Sequence, residues 1–425
     1  MTTTKNNEHK KLNFSSEREQ SQACLNSAEH EKNQGRKVLN VPNLRFPEFE
    51  GEWEKCKLGD VMNFSTTRVN SSELNEDNYV STENMLQDYQ GIVDAKSVPE
   101  DVNVISFSCG DILISNIRPY LKKVWKATYN GGCSSDVFVL KANDKIESDY
   151  LHYVIANDKF INFVMSGAKG VKMPRGDKKQ MKTYCLSLPQ IQEQKKISTL
   201  LRLIDERIST QSKIIDKLQS LIKGIMASCQ NSGLKNNTWG KISLCDVLTE
   251  RKELNKQLHP VFSVSVSQGV INQIEYLGRS FAAKDTSKYN VVHFGDIIYT
   301  KSPTGDFPYG IVKQNYNQEE VAVSPLYGVY APKTYSIGVF LHEYFKSNVN
   351  TYNYLHPLIQ KGAKNTINIT NQHFLENKVA MPFNDDELES ISKLLLSLNA
   401  KVVLMQHIKG NYEQQKQYLL RQMFI

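Results

Sequence analysis

A run of basic residues near the middle of the chain has the composition of a phosphate-binding loop. Residues 166–182 are Ser-Gly-Ala-Lys-Gly-Val-Lys-Met-Pro-Arg-Gly-Asp-Lys-Lys-Gln-Met-Lys, with Asp177 as the only acid. The cations are Lys169, Lys172, Arg175, Lys178, Lys179 and Lys182. Glycine lets backbone N–H groups approach an anion closely, while lysine and arginine displace the counterions of a polyanion. We therefore predict that this loop contacts nucleic-acid phosphates. A merely solvated charged loop is the alternative.

A second loop combines polar and cationic residues directly after a predicted strand. Residues 115–123 are Ser-Asn-Ile-Arg-Pro-Tyr-Leu-Lys-Lys, and the candidate DNA ligands among them are Arg118, Lys122 and Lys123. Residues 118–182 hold 13 Lys and Arg against 6 Asp and Glu, a balance that attracts a polyanion. Loops on a rigid scaffold often carry recognition residues, although ordinary surface loops have a similar composition.

Related loops recur later in the chain. Residues 299–306 are Tyr-Thr-Lys-Ser-Pro-Thr-Gly-Asp, and residues 361–371 repeat Gly-Ala-Lys but replace most of the cations with Asn and Thr. The candidate residues of these two loops are Lys301, Thr304, Lys364, Asn365 and Asn368. Amide and hydroxyl groups hydrogen-bond to phosphates or to base edges. The second pair of loops is therefore predicted to bind nucleic acid as well.

No familiar catalytic motif accompanies the loops. The sequence lacks glycine-rich nucleotide-binding fingerprints, the Walker lysine motif, a Gly-x-Ser-x-Gly nucleophile and a His-Glu-x-x-His metal site. It also lacks the Asn/Asp-Pro-Pro-aromatic motif of adenine methyltransferases. Glu250-Arg-Lys252 after Asp246 has the letters of a nuclease site, but such a triplet is expected by chance among 52 basic and 45 acidic residues. We predict that the chain itself catalyses nothing.

Cysteine usage and hydropathy narrow the class of protein. The seven cysteines form no Cys-x-x-Cys pair and no zinc pattern with histidine, so we predict reduced thiols in the cytoplasm and no structural metal. No apolar run approaches the roughly 20 residues that span a bilayer, so we expect no membrane partner. The first 36 residues are polar and lack a signal-peptide core, and they are predicted to form a flexible extension.

The elements that position the loops occur twice. Trp53 precedes the motif Leu-Gly-Asp-Val, and Trp239 precedes the similar motif Leu-Cys-Asp-Val. Gly110 and Gly295 each begin a Gly-Asp-Ile segment that is predicted to be a strand. The offsets of 186 and 185 residues are far too long for a solenoid. The first copy has β-rich runs and a helical spacing over residues 149–165. We therefore predict two mixed α/β modules.

Each module is followed by a long apolar heptad stripe. The a positions are Ile197, Ile204, Gln211, Leu218 and Ile225 in the first stripe and Ile391, Leu398, Met405, Tyr412 and Leu419 in the second. Residues 230–237, polar around Gly233, are predicted to be a flexible linker. Because neither stripe can remain exposed alone, we predict that the two long helices pack together as an antiparallel pair.

The sequence resembles the specificity (S) subunit of type I restriction-modification systems. The resemblance rests on three motifs: Leu-Arg-Phe-Pro-Glu-Phe-x-Gly-x-Trp at residues 44–53, Gly-Asp-Ile-Leu-Ile at residues 110–114 and Leu-Pro-x-x-x-Glu-Gln-Lys-Lys-Ile at residues 188–197. Residues 362–382 carry weaker copies, and residues 384–387 are Asn-Asp-Asp-Glu where Glu-Gln-Lys is expected. The resemblance covers residues 40–425.

The resemblance implies an α+β fold in which two pseudo-twofold-related mixed α/β target recognition domains are separated by two long antiparallel coiled-coil helices. The segments are residues 1–39 for a polar flexible extension, 40–188 for target recognition domain 1, 189–230 for spacer helix 1, 231–380 for target recognition domain 2 and 381–425 for spacer helix 2. The modules differ in sequence, so their DNA half-sites should differ too.

The resemblance also implies a function without an active site. The chain would be the DNA sequence-recognition subunit that binds a bipartite, asymmetric target in double-stranded DNA. Its partners would be two methyltransferase (M) subunits with S-adenosylmethionine and, in the full complex, two restriction (R) subunits with ATP and Mg²⁺, so this chain binds no cofactor. Two alternatives remain open: a two-module DNA-binding regulator without methyltransferase partners, and a coiled-coil adaptor that does not touch nucleic acid.

Overall fold

The computed structural model describes residues 39–361 and 367–425, which divide into two compact units. Of the described residues, the first unit holds 39–209 and 410–425, and the second holds 210–361 and 367–409. Both units mix helices with sheets that are antiparallel except for one parallel strand pair in the first unit, as the α+β prediction requires. The predicted domain boundaries stay predictions.

The first unit is built from short strands joined by turns. Its strands are β1 (Glu54–Lys57), β2 (Met62–Phe64), β3 (Arg68–Asn70), β4 (Tyr79–Val80), β5 (Asn103–Phe107), β6 (Ile112–Ser115), β7 (Val124–Lys126), β8 (Gly131–Cys133), β9 (Val137–Ala142) and β10 (Cys185–Leu188). Its short helices are α1 (Leu58–Val61), α2 (Ser148–Ile155), α3 (Asp158–Ser166) and α4 (Lys178–Lys182).

Two four-stranded sheets and one strand pair organise this unit. The sheets have the orders β2-β9-β6-β7 and β3-β5-β8-β4, and β1 pairs with β10. Every residue of β6 is buried, which explains its continuous apolar sequence. The predicted helix over residues 149–165 is two helices, because the Asn157 side chain caps the start of α3 by accepting a hydrogen bond from the Lys159 N–H.

The second unit has the same kinds of elements. Its strands are β11 (Trp239–Ser243), β12 (Leu248–Glu250), β13 (Phe262–Ser265), β14 (Gly269–Asn272), β15 (Asn290–Val292), β16 (Ile297–Tyr299), β17 (Val312–Gln314), β18 (Val321–Val323), β19 (Gly328–Pro332), β20 (Gln360–Lys361), β21 (Ile367–Asn368) and β22 (Lys378–Pro382). Its short helices are α6 (Gln273–Leu277), α7 (Tyr335–Tyr344), α8 (Asn348–Leu355) and α9 (Asn371–Glu376).

The two units share the order of their main sheet. The sheet β12-β19-β16-β17 has the strand order of β2-β9-β6-β7, and the pair β11-β22 matches β1-β10. In each unit a pair of helices follows the last strand of the four-stranded sheet. The duplication predicted from the repeated words is therefore confirmed at the level of the fold.

Both predicted long helices are present as α5 (Ile191–Lys235) and α10 (Asp385–Gln422). In the first unit, Asp205 of α5 pairs with Lys416 of α10, and Arg207 donates to the Tyr412 hydroxyl. The contact later in α5, at Arg207, is made with the earlier residue of α10, at Tyr412, so the two helices run antiparallel there. In the second unit, Ile222 of α5 shares a core with the residues of α10 that face it.

The flexible linker predicted for residues 230–237 is wrong, because α5 continues through Lys235. Trp239, which is 3% exposed, packs against the helix at Gly233. A Cβ atom at Gly233 would lie 2.0 Å from Cδ1 of the Trp239 indole. Glycine is thus used inside the helix to let the indole approach, rather than to break the helix.

Among the helices of the described ranges, none combines the length and the apolar composition that crossing a membrane requires.

Candidate nucleic-acid interface

The two cationic loops predicted in the first unit lie against each other. Strand β6 ends at Ser115 and leads into the first loop. The Arg118 N–H donates to the Pro174 carbonyl at 2.8 Å, and the Gly176 N–H donates to the Asn116 carbonyl at 3.1 Å. Residues 116–123 and 167–182 therefore form one surface, which we call the basic surface.

Part of the basic surface is an ordered hairpin. Lys169 and Arg175 exchange both backbone hydrogen bonds, with N···O distances of 3.1 and 2.9 Å. Gly170 has φ of +99°, a left-handed conformation that favours glycine, and Val171 at the tip is fully exposed. We call residues 169–175 the basic hairpin. The predicted loop is thus closed at its base by a single β-bridge.

Four cations of the basic surface have free side chains. They are Arg118, Lys172, Lys179 and Lys182. All four are exposed, and in the part of the chain that the structure describes no hydrogen-bonding or ion-pair partner contacts their charged groups. These side chains can bind an external anion without first leaving an internal partner.

Three further cations form exposed ion pairs. The pairs are Lys122 with Asp158 at 2.8 Å, Lys169 with Asp177 at 3.5 Å and Arg175 with Asp136 at 2.8 Å. Exposed ion pairs contribute little to stability, because water and salt screen their charges. Exchanging such a carboxylate for a DNA phosphate therefore costs the fold little.

The remaining two predicted ligands face the protein itself. Lys123 donates its ammonium hydrogen to the Thr82 carbonyl at 2.6 Å, and burial lowers the pKa of Lys123. The ammonium of Lys178 lies 4.7 Å from the ring centroid of Phe138 and 5.2 Å from that of Phe64. Burial lowers the pKa of Lys178 too. These lysines anchor their loops to the sheet, so their role as DNA ligands stays a prediction with a competing internal role.

The candidate residues of the second unit are only partly described. Lys301 is partly buried after β16, and burial lowers the pKa of Lys301 although Glu250 opposes the shift. Thr304 lies in a tight exposed turn, where it exchanges backbone hydrogen bonds with Phe307. Lys364 and Asn365 lie outside the described residues, as does the side chain of Asn368. The backbone of Asn368 pairs with Gln360 in the hairpin β20-β21.

Sequence analysis missed a cluster of histidine–glutamate pairs in the second unit. His293 Nε2 lies 2.7 Å from Glu253 Oε2, and His259 Nε2 lies 3.2 Å from Glu320 Oε2. Glu253 and His259 also line a cavity of about 380 Å³. The paired residues are 40 and 61 positions apart in the sequence, so no local motif indicated the cluster. Among the described residues, no group of three or more His, Cys, Asp or Glu side chains has the geometry to hold a metal ion.

Part of the chain is similar to a known protein family. Residues 50–220 match the family model of the type I restriction modification DNA specificity domain. The type I restriction enzyme EcoDI specificity subunit of Escherichia coli is 31% identical over 91 residues, which cover 21% of this chain and 20% of that protein. Over these residues the chain is similar to the specificity subunits of type I restriction-modification systems.

A second curated protein and a solved structure are also similar to this chain. The type I restriction enzyme MjaVIII specificity subunit of Methanocaldococcus jannaschii is 29% identical over 197 residues. These residues cover 45% of this chain and 44% of that protein. The matched segment thus spans less than half of each curated relative. The crystal structure of the type I restriction-modification S subunit from M. genitalium has a TM-score of 0.61 at 13% identity, covering 91% of this chain and 99% of that one. This likeness confirms the fold.

Proposed function

We propose that the chain is the DNA sequence-recognition subunit of a type I restriction-modification complex and binds a bipartite, asymmetric target in double-stranded DNA. The observation that carries the proposal is the basic surface, where two loops distant in sequence are hydrogen-bonded together and present free cations. The match of residues 50–220 to the DNA specificity domain and the repeated order of the main sheet support two such recognition units in one chain.

Phosphate contacts explain how the basic surface attracts DNA. Lys172, Lys179 and Lys182 are free to contact phosphates, and the paired Lys169 and Arg175 can exchange a carboxylate for a phosphate. Each phosphate neutralised releases counterions, and the logarithm of the binding constant falls with the logarithm of salt concentration by about 0.9 per contact. Such contacts set affinity and orientation, while base contacts select the sequence.

The two units are proposed to recognise different half-sites. The first unit presents a cationic hairpin, whereas the second has Lys301 and Thr304 in one loop and a sequence rich in Asn and Thr at residues 361–371. Loops with different hydrogen-bonding groups match different patterns of donors and acceptors on the base edges. The resulting target is asymmetric.

We propose that catalysis belongs to partner subunits. The family resemblance supports two M subunits with S-adenosylmethionine, and two R subunits with ATP and Mg²⁺ in the full complex. This chain would position them on DNA without binding a cofactor itself, in the cytoplasm.

Methylation sequencing tests the proposal. The chain is expressed with its methyltransferase partner in cells that lack adenine methylation, and the modified adenines are mapped. We expect one bipartite, asymmetric motif that disappears when this chain is omitted. DNA binding without co-purification of a methyltransferase would favour the regulator alternative. An absence of any gel shift at low salt would favour the adaptor.

A further inference from the structure

Arg118 has an unusual backbone for an exposed arginine. Its φ and ψ are 51° and 63°, in the left-handed region that non-glycine residues rarely adopt. It directly precedes the 3₁₀ turn Pro119–Leu121. A side chain larger than glycine makes this conformation costly, and residues held in such strain cluster at functional sites.

Hydrogen bonds from both loops of the basic surface fix this conformation. The Arg118 N–H donates to the Pro174 carbonyl of the basic hairpin at 2.8 Å, and the Arg118 carbonyl accepts from the Leu121 N–H at 2.9 Å. One residue earlier, the Ile117 carbonyl accepts from the Ser115 hydroxyl at 3.0 Å. The backbone that carries the guanidinium is therefore held in place before any ligand arrives.

The guanidinium itself is left without a partner because the nearby acids are already engaged. Asp136 pairs with Arg175, and Asp158 pairs with Lys122. Asp177 caps α4 and pairs with Lys169. Over residues 39–361 and 367–425, no side chain or carbonyl forms an ion pair or hydrogen bond with the Arg118 guanidinium. A rigid backbone thus presents an exposed, unpaired planar donor.

The surroundings of Arg118 fit a DNA groove better than a phosphate backbone. The basic hairpin is a seven-residue loop closed by one β-bridge between Lys169 and Arg175, and the major groove of B-DNA admits protein elements as wide as an α-helix. Its tip exposes Val171 fully and Met173 by 48%. Apolar side chains gain nothing beside phosphates, but they can contact thymine methyl groups in the groove.

We propose that Arg118 is a specificity-determining residue of the first unit and recognises a guanine through paired hydrogen bonds to its N7 and O6 atoms in the major groove. This inference rests on the proposed function and divides the basic surface into two roles. Flexible lysines such as Lys172 contact phosphates, for which no fixed geometry is needed. Arg118 needs its fixed backbone because two parallel hydrogen bonds require a defined position of the guanidinium plane.

The test uses the full-length chain co-expressed with its methyltransferase partner, carrying Arg118→Ala, Arg118→Gly or Lys172→Ala. The methylated motif is mapped, and competition binding compares duplexes that carry each base pair at each half-site position. Both Arg118 variants are expected to lose a preference for guanine of roughly 5- to 150-fold at one position of one half-site. The other half-site is expected to be unchanged.

The remaining variants separate a lost contact from a lost fold. Arg118→Gly removes the guanidinium and relieves the left-handed backbone, so it should melt at or above the wild-type temperature. Lys172→Ala should weaken binding to all duplexes equally and reduce the salt slope by about one. The inference is wrong if the Arg118 variants bind every duplex uniformly more weakly, keep every base preference, or alter both half-sites. If the wild-type complex shows no bipartite motif, the proposed function fails instead.

Discussion

The Tyr153 hydroxyl donates a hydrogen bond to the Asp205 carboxylate at 2.9 Å, joining α2 of the first unit to the long helix α5. Asp205 also pairs with Lys416 of α10, so one carboxylate holds three helices. The second unit has a comparable joint, in which Asn399 of α10 donates to Glu343 of α7 at 2.9 Å. Each unit is thus fastened to a long helix by a polar contact at a matching place in the fold.

Replacing Tyr153 with phenylalanine should loosen this joint. The substitution removes a partly buried hydrogen bond to a carboxylate, so the free energy of unfolding should fall by about 1–3 kcal/mol. The measurement is urea denaturation of the full chain followed by a probe in the first unit. Tyr418→Phe removes the hydroxyl of an exposed tyrosine and should change stability by less than about 0.5 kcal/mol. Equal effects of the two substitutions would contradict the joint.

Gly233 and Gly224 form a matched pair within α5. Gly224→Ala meets no atom within 4 Å and should stabilise the helix by up to about 1 kcal/mol. Gly233→Ala places a Cβ atom 2.0 Å from the Trp239 indole and should destabilise the second unit by about 1–3 kcal/mol. Thermal unfolding distinguishes the two outcomes. If Gly233→Ala raised the melting temperature, the packing of Trp239 against α5 would be wrong.

Lys313 should make the stability of the second unit depend on pH. The side chain is 6% exposed in β17, and burial lowers the pKa of Lys313 to about 8, with Lys346 adding to the shift and Glu343 opposing it. The unfolded chain holds this proton up to a pH near 10.5. Between about pH 8 and pH 10 the unfolded state therefore binds more protons, and the free energy of unfolding should rise with pH.

Lys313→Met tests this dependence. The variant buries no ammonium group, so it should lose the rise between pH 8 and pH 10 and gain about 1–3 kcal/mol of stability at pH 7. Urea denaturation at several pH values provides the measurement. Lys346→Met is the contrasting variant, since Lys346 pairs with the buried Glu343 at 2.6 Å and its loss should destabilise the fold. An unchanged pH slope in Lys313→Met would rule out Lys313 as the titrating group.

The combined change of Lys172→Ala and Arg175→Ala should weaken DNA binding and leave the methylated sequence as it was. The two cations are expected to contribute up to about 1.8 to the salt slope, because each neutralised phosphate adds about 0.9. Gel shifts over a salt series measure the slope, and methylation sequencing measures the motif. Lys55→Ala with Lys96→Ala removes two exposed cations outside the basic surface and should leave the slope unchanged. Identical slopes for both double variants would show that the basic surface does not contact phosphates.

The sequence predicted those features that depend on local pattern. The apolar run of β6 and the heptads of α5 and α10 are visible in the sequence because burial imposes them directly. The helix through Gly233 was not predicted, because its glycine is explained by Trp239 from a neighbouring strand.

Prediction of the candidate site shows the same division. The cations of residues 166–182 were identified from composition alone. Which of them are free depends on acids such as Asp136, which is 39 residues from its partner Arg175. The contact of Arg118 with Pro174 likewise depends on the fold, because 56 residues separate the two positions. The division between free and paired cations therefore required the structure.

The strand pairs that open and close each unit have a consequence for evolution. Glu54 faces Leu188 in β1-β10, and Trp239 faces Pro382 in β11-β22. The segment between two such facing residues therefore starts and ends in the same pair of hydrogen-bonded strands. If the residues between them were exchanged for those of another protein, both junctions would fall within one strand pair, so the surrounding framework could keep its hydrogen bonds.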